Sequence, residues 1–257
     1  MKKIQKRIFS LLLCVMLTIT MLPVNISADS DTIEFDNPFG DVEPGDWFFD
    51  DVAFVYTAGL MSGTGTESPR FSPEMPMSRA MLVTVLYRLA GSPDTTGLPN
   101  VFIDVQEDLW YTGSVAWAAA NGITGGIGGN RFAPNNNITR EQAATILLRY
   151  AQMIGKARIG EAADGSDFAD KNKISDWALE GAMWCSKTEV IKGKPGENGM
   201  LFDPQSNATR AELAAILHRF FDNVVNNPPL SDSGSSSGSG TGSGPGDTLT
   251  VSFETNG

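Results

Sequence analysis

The chain has 257 residues, 41% of them hydrophobic, and a formal net charge of −11. That is enough apolar material for one sizeable core or a few small ones. The acidic balance has the wrong sign for long-range attraction to nucleic acid or an anionic membrane, so neither is expected as a partner and an anionic ligand must be caught by local groups.

Residues 1–28 read as a secretory signal peptide. Lys2, Lys3, Lys6 and Arg7 precede an apolar run from Ile8 to Leu22, and a short polar stretch leads to a cleavage point around Ala28-Asp29. The run is short for a membrane span, and no later stretch is long enough, so no span is expected in the mature chain. Bulky Leu12 and Leu13 before Cys14 argue against a lipoprotein anchor. Cleavage removes four positive charges and no negative ones, taking the net charge from −11 to −15. The mature chain keeps one cysteine, Cys185, and so has no internal disulfide.

Three segments then align with one another: 39–91, 102–151 and 168–221. Each opens with Phe and an Asp two residues later (Phe39/Asp41, Phe102/Asp104, Phe168/Asp170), followed by a tryptophan at Trp47, Trp110 or Trp177. Seven residues on comes an aromatic (Phe54, Trp117, Trp184), and sixteen residues on a glycine (Gly63, Gly126, Gly193). A loop of varying length leads to "RFSP", "RFAP" or "LFDP" and then to a second helix. The first helix of each unit is predicted from the tryptophan for about twelve residues, ending at a turn such as "NGITGG" where glycine permits positive φ. The second carries apolar residues at i, i+3, i+4 and i+7: Leu82, Val85, Leu86, Leu89; Ala143, Ile146, Leu147, Tyr150; Leu213, Ile216, Leu217, Phe220. A unit of this size cannot bury both of its helices alone. The fold class expected is therefore mainly α: three tandem helix-loop-helix repeats packed as a pseudo-threefold module, with a signal peptide before it and a flexible Ser/Gly tail after it.

Residues 228–247 form a Pro/Ser/Gly linker, of which "SDSGSSSGSGTGSGPG" (231–246) reaches roughly 20–24 Å on average by random-coil scaling. Residues 248–257 alternate like a strand and are read as the start of a truncated β-rich repeat, because a lone strand is not stable. "VSFETNG" resembles the opening strand of the Listeria–Bacteroides type of β-grasp surface repeat.

The second helices begin unusually. Thr209 with Glu212, and Thr139 with Gln142, make capping boxes, whereas Ser78 is followed by Met81 and keeps half of one. The first helical residue is an arginine each time, Arg79, Arg140 and Arg210, although the helix dipole disfavours a cation there. Beside free N–H groups, such an arginine makes an anion site; a structural salt bridge to Asp41, Asp104 or Asp170 is the alternative, and the two can coexist. Arg88, Arg149 and Arg219 sit near the favourable C-terminal end and need no functional explanation. Each tryptophan taken singly reads first as core, though an indole face also suits a sugar ring.

The units resemble S-layer homology (SLH) domains. The resemblance rests on "F.D", the spaced Trp, the Gly-bearing loop, "RFxP" and the "TRAE" motif, which is complete as Thr209-Arg210-Ala211-Glu212, altered as Thr139-Arg140-Glu141-Gln142 and weaker as Ser78-Arg79-Ala80-Met81. It implies a helical module that anchors exported proteins non-covalently to secondary cell-wall polysaccharide, typically pyruvylated, on the Gram-positive cell surface, cell wall or S-layer. By that resemblance the ligand lies in grooves between repeats. Arg79, Arg140 and Arg210 would grip the acidic substituent, and Trp47, Trp110, Trp177, Asp41, Asp104, Asp170, Gly63, Gly126 and Gly193 would complete the grooves. The groove of the first repeat, where Met81 replaces the capping Glu, departs furthest from the pattern.

The rival readings are a wall-anchored glycoside hydrolase or other enzyme whose catalytic domain is missing, and a protein–protein adhesin scaffold. No catalytic residue is assigned: the single His218 has no Ser/His/Asp set around it in sequence, and acids repeated in triplicate suit structure or repeated binding better than one active site. No metal site and no cofactor are expected, since "DKNKISD" (170–176) is the nearest run to a calcium loop and lacks its glycine. The oligomeric state is left open, with a monomeric module expected.

Overall fold

The computed structural model describes residues 35–65, 69–158, 160 and 168–227. The signal peptide (1–28) and the linker and strand-like end (228–257) lie outside the described residues. The described residues from Asn37 onward make one compact unit, mainly α. Its helices are α1 (Phe49–Thr57), α2 (Arg79–Leu89), α3 (Thr112–Ala120), α4 (Arg140–Met153), α5 (Leu179–Lys187) and α6 (Arg210–Phe220). A short antiparallel hairpin, β1 (Lys194–Gly196) and β2 (Gly199–Leu201), occupies the longest of the variable loops and pairs Lys194 with Leu201.

The even-numbered helices start where capping chemistry places them. Ser78, Thr139 and Thr209 are N-caps in extended conformation, and each side chain accepts the N–H of the third helical residue. The first repeat differs from expectation, because the Met81 thioether takes the place of the missing carboxylate, 3.5 Å from the Ser78 N–H. Sulfur is a weak acceptor, so this box is closed but soft. The apolar stripes of α2, α4 and α6 are all buried.

The odd-numbered helices begin two residues after the tryptophan and run for nine residues rather than about twelve. Tight i→i−3 bonds hold the preceding turn, such as Phe49 N–H to Asp46 O and Thr112 N–H to Leu109 O, both 3.0 Å; in the third repeat the turn is a 3₁₀ helix over Asp176–Ala178. After α1 and α3 the chain turns at Gly59 and Gly122 with positive φ. After α5 the same left-handed position falls to Glu189 at φ 58°, at a cost of roughly 1–2 kcal/mol that a glycine would avoid.

Helix pairing crosses the repeat boundaries. α2 packs on α3, α4 on α5, and α6 returns to α1, so each repeat's second helix covers the first helix of the next and the ring closes. His218 helps to close it, stacking on Phe54 at 4.3 Å between ring centres with Nδ1 2.8 Å from Asp51 Oδ1. At the centre the segments before the three capped helices form a triangle. Met77 N–H donates to Ala208 O at 3.0 Å, Ala208 N–H to Ile138 O at 3.0 Å, and Ile138 N–H to Met77 O at 2.9 Å. All three residues are buried, which puts the pseudo-threefold axis in the core.

Candidate functional site

The three arginines enter structure before they enter any site. Nε of Arg79 donates to Phe132 O at 2.8 Å, Nε of Arg140 to Phe202 O at 2.8 Å, and Nε of Arg210 to Phe71 O at 2.6 Å. Each acceptor belongs to the next repeat in the ring. Each guanidinium also lies over the ring of that same phenylalanine, 4.9, 5.7 and 4.5 Å from its centre. Burial lowers the pKa of all three, with nearby carboxylates opposing it (Asp104 for Arg79, Glu212 first for Arg140, Asp41 for Arg210); Arg210 is pushed down to about 10. All therefore stay charged at neutral pH.

The aspartates prepare those carbonyls. Asp41 accepts the N–H groups of Phe71 and Ser72 at 2.7 and 2.9 Å, Asp104 those of Phe132 and Ala133 at 2.8 and 2.9 Å, and Asp170 those of Phe202 and Asp203 at 2.7 and 2.9 Å. The salt bridge between these aspartates and the helix-start arginines, the alternative to an anion site, does not form within 4 Å. Asp41 and Asp104 pair instead with Arg70 at 3.7 Å and Arg131 at 3.8 Å. Aspartate and buried arginine meet through one peptide unit, whose N–H goes to the carboxylate and whose C=O goes to the guanidinium.

The expectation of free helix N–H groups beside each arginine is corrected. Arg79 N–H donates to Asn136 O and Ala80 N–H to Pro134 O; Arg140 and Glu141 donate likewise to Ser206 O and Pro204 O, and Arg210 and Ala211 to Met75 O and Pro73 O. With the third N–H taken by the cap, the first turn is consumed by the neighbouring repeat. What remains for an anion is the side chains.

The glycines are required by close approach. A Cβ on Gly63, Gly126 or Gly193 would lie 2.8, 2.7 or 2.7 Å from the ring of Phe39, Phe102 or Phe168. At Gly126 and Gly193 φ is also positive, 77° and 79°.

The tryptophans are not core. Trp47, Trp110 and Trp177 are 64%, 60% and 56% exposed, because each sits on the turn ahead of its helix and points away from the stripe the helix buries.

Two grooves collect these parts. One, of about 400 Å³, is lined by Arg79 from the first repeat, Thr124, Gly126, Gln142 and Arg149 among others from the second, and Trp177 from the third. The other, of about 570 Å³, holds Arg140 from the second repeat, Lys192, Gly193, Lys194, Glu212 and Arg219 among others from the third, and Trp47 from the first. Each draws on all three repeats, so the expected placement between neighbouring repeats becomes a three-way junction. Met81 is not in the lining of the groove that holds its own repeat's Arg79; Arg210 donates from Nη2 to Ser62 O at 2.6 Å.

Several lining residues escaped the sequence reading. The helix dipole accounts for Arg149 and Arg219, yet Gln142, Thr145, Ile146 and Arg149 follow one another at i, i+3, i+4 and i+7 and line one groove as a stripe. That spacing was a legible signal. Lys192 and Lys194 lie in the variable loop, where no alignment of the repeats could flag them. Among the described residues no cluster of three or more metal-ligating side chains occurs, and no helix is long and apolar enough to cross a membrane.

A family model, the S-layer homology domain, matches residues 38–80, 102–144 and 167–214. The chain belongs to the S-layer homology domain family. SLH domains anchor surface proteins to the cell wall, which puts this chain outside the cell, at its surface. The chain is 30% identical over 194 residues to an amylopullulanase of Thermoanaerobacterium thermosulfurigenes, covering 75% of this chain and 10% of that protein. It is 31% identical over 177 residues to a surface-layer 125 kDa protein of Lysinibacillus sphaericus, covering 69% and 14%, and 26% identical over 172 residues to a cellulosome-anchoring protein of Acetivibrio thermocellus, covering 61% and 36%. It thus spans about a tenth to a third of the length of these SLH relatives. A solved undecaheme cytochrome from the S-layer of Carboxydothermus ferrireducens aligns with 78% of this chain and 29% of its own at 15% identity and a TM-score of 0.33.

Proposed function

We propose that this module anchors an exported protein non-covalently by binding secondary cell-wall polysaccharide, with pyruvyl carboxylates of the glycan held in the inter-repeat grooves. The observation that carries the reading is the convergence, in one groove, of a buried guanidinium with an exposed indole from another repeat: Arg79 with Trp177, and Arg140 with Trp47. An arginine fork suits a carboxylate and an indole face suits the apolar face of a sugar ring, so the pair matches an acidic sugar better than either does alone. Arg79 and Arg140 are the carboxylate contacts, and Arg210 with Trp110 is their counterpart in the third inter-repeat position. Asp41, Asp104 and Asp170 position the phenylalanine carbonyls, and Gly63, Gly126 and Gly193 let the groove walls approach.

Several weak grooves on one polymer add through effective concentration, which gives an acidic module useful affinity for an acidic chain. In a longer protein, the module serves to hold the remaining domains at the wall.

Pull-down against Gram-positive cell-wall preparations with and without pyruvyl groups tests the reading. Retention on the pyruvylated wall and loss on the stripped one is expected. Equal retention overturns the carboxylate mechanism, and hydrolysis of the glycan by this chain overturns the role of anchor alone.

A further inference from the structure

The grooves share a plan, and besides the loop lysines Lys192 and Lys194 of the second they differ in charge at the third residue of the helix that each arginine faces. Gln142 stands there for Arg79 and Glu212 for Arg140; the repeat alignment puts Met81 there for Arg210. Arg79 donates from Nη1 to Gln142 Oε1 at 3.1 Å and from Nε to Phe132 O. Three of its five N–H groups are then without a partner among the described residues. Arg149 is the second cation of that groove, and its lining contains no carboxylate.

In the next groove the arginine faces a fixed carboxylate. Glu212 Oε2 lies 3.8 Å from Arg140 Nη1, and its Oε1 lies 2.8 Å from Lys194 Nζ. A ligand carboxylate arriving there meets a fixed carboxylate between Arg140 and Lys194, whose like-charge repulsion offsets part of the attraction of the groove's four cations, Arg140, Lys192, Lys194 and Arg219. Arg210 spends Nε and Nη2 on the Phe71 and Ser62 carbonyls.

Resting on the function proposed above, we propose that the Arg79 groove takes a ligand carboxylate with no competing fixed carboxylate beside its arginine, and that Gln142, supplied by the neighbouring repeat, is the residue that sets this selectivity between the grooves. Gln142 leaves the guanidinium without a fixed counter-charge, whereas Glu212 sets a carboxylate 3.8 Å from Arg140 and Met81 contributes neither charge nor a strong hydrogen bond.

Arg79→Ala is a poor test, because the arginine also holds the Phe132 carbonyl in the core. Gln142→Glu is better: either residue closes the capping box with Thr139, so the fold is retained while a carboxylate is set against Arg79. Glu212→Gln is the reciprocal change. The full chain and both variants are titrated with a single repeating unit released from pyruvylated secondary cell-wall polysaccharide, which removes avidity, and with the same unit after mild acid removal of the pyruvyl group.

Gln142→Glu is expected to weaken pyruvyl-dependent binding about tenfold, on the scale of one charge-assisted hydrogen bond. Glu212→Gln is expected to strengthen it, and both variants should melt within a few degrees of the parent. Binding by Gln142→Glu within about twofold of the parent, or weakened binding by Glu212→Gln, overturns the selection by this position. A parent chain that binds both units equally overturns the proposed function itself, a separate outcome.

Discussion

Arg210 lies over the Phe71 ring, 4.5 Å from its centre, and donates from Nε to the Phe71 carbonyl at 2.6 Å. The contact joins the third repeat to the first and closes the ring that the other two arginines extend. Burial without a carboxylate partner within 4 Å makes the guanidinium dependent on those carbonyls.

Arg210→Ala therefore removes charge-assisted bonds to the Phe71 and Ser62 carbonyls, and the expected loss is about 2–4 kcal/mol. Chemical denaturation measures it. A loss under about 0.5 kcal/mol would mean that the arginine contributes to binding alone.

Closure also predicts cooperativity. Because α6 packs on α1 and the Met77–Ala208–Ile138 triangle takes one segment from each repeat, deleting the third repeat should leave α1 and the Phe71 loop uncovered. The parent is expected to unfold in one transition and a two-repeat chain to show a broad, early one. Two well-separated transitions in the parent's calorimetric trace would contradict a closed ring.

The exposed tryptophans separate binding from stability. Trp47→Ala removes an indole that is 64% exposed, so a change within about 0.5 kcal/mol is expected in stability. On the proposed function, wall retention should fall several-fold, because the Arg140 groove loses the indole that lines it. Gly126→Ala is the opposite case: its Cβ would lie 2.3 Å from Arg131 O at a φ of 77°, and a loss above about 2 kcal/mol is expected from strain and displaced packing.

Acid should loosen the second loop. Desolvation acts to raise the Asp104 pKa, but the Phe132 and Ala133 N–H bonds and nearby Arg131 outweigh it and hold the carboxyl below its ordinary value. A carboxyl with a depressed folded pKa contributes stability that is complete above its unfolded value, near 3.9, and that is lost as pH falls through the folded one. Thermal melts should decline below about pH 4. Asp104→Asn should start lower at neutral pH and decline less; an unchanged acid slope in that variant would locate the sensitivity elsewhere.

Much of the fold is local and was readable. Ser78, Thr139 and Thr209 cap helices whose apolar stripes are spaced for burial, and capping and periodicity act over a single turn, so sequence carries them in full. Each tryptophan taken singly reads first as core, and the resemblance alone places it in a groove; its exposure of 56–64% goes against the core reading. Only the turn geometry ahead of the helix directs it outward. The helix N–H groups were misjudged because their acceptors, such as Asn136 O for Arg79, lie in another repeat.

By itself, the sequence determined that three equivalent units exist, where their capped helices begin, and that an arginine stands at each start against the dipole. It could not assign partners, because three copies with the same spacing make pairing within a repeat and pairing across the ring indistinguishable along the chain. The tertiary structure decided that Arg79 faces Gln142 and shares a groove with Trp177, since α2 can bury its stripe only against the next repeat's first helix, and the arginine at its start goes with it.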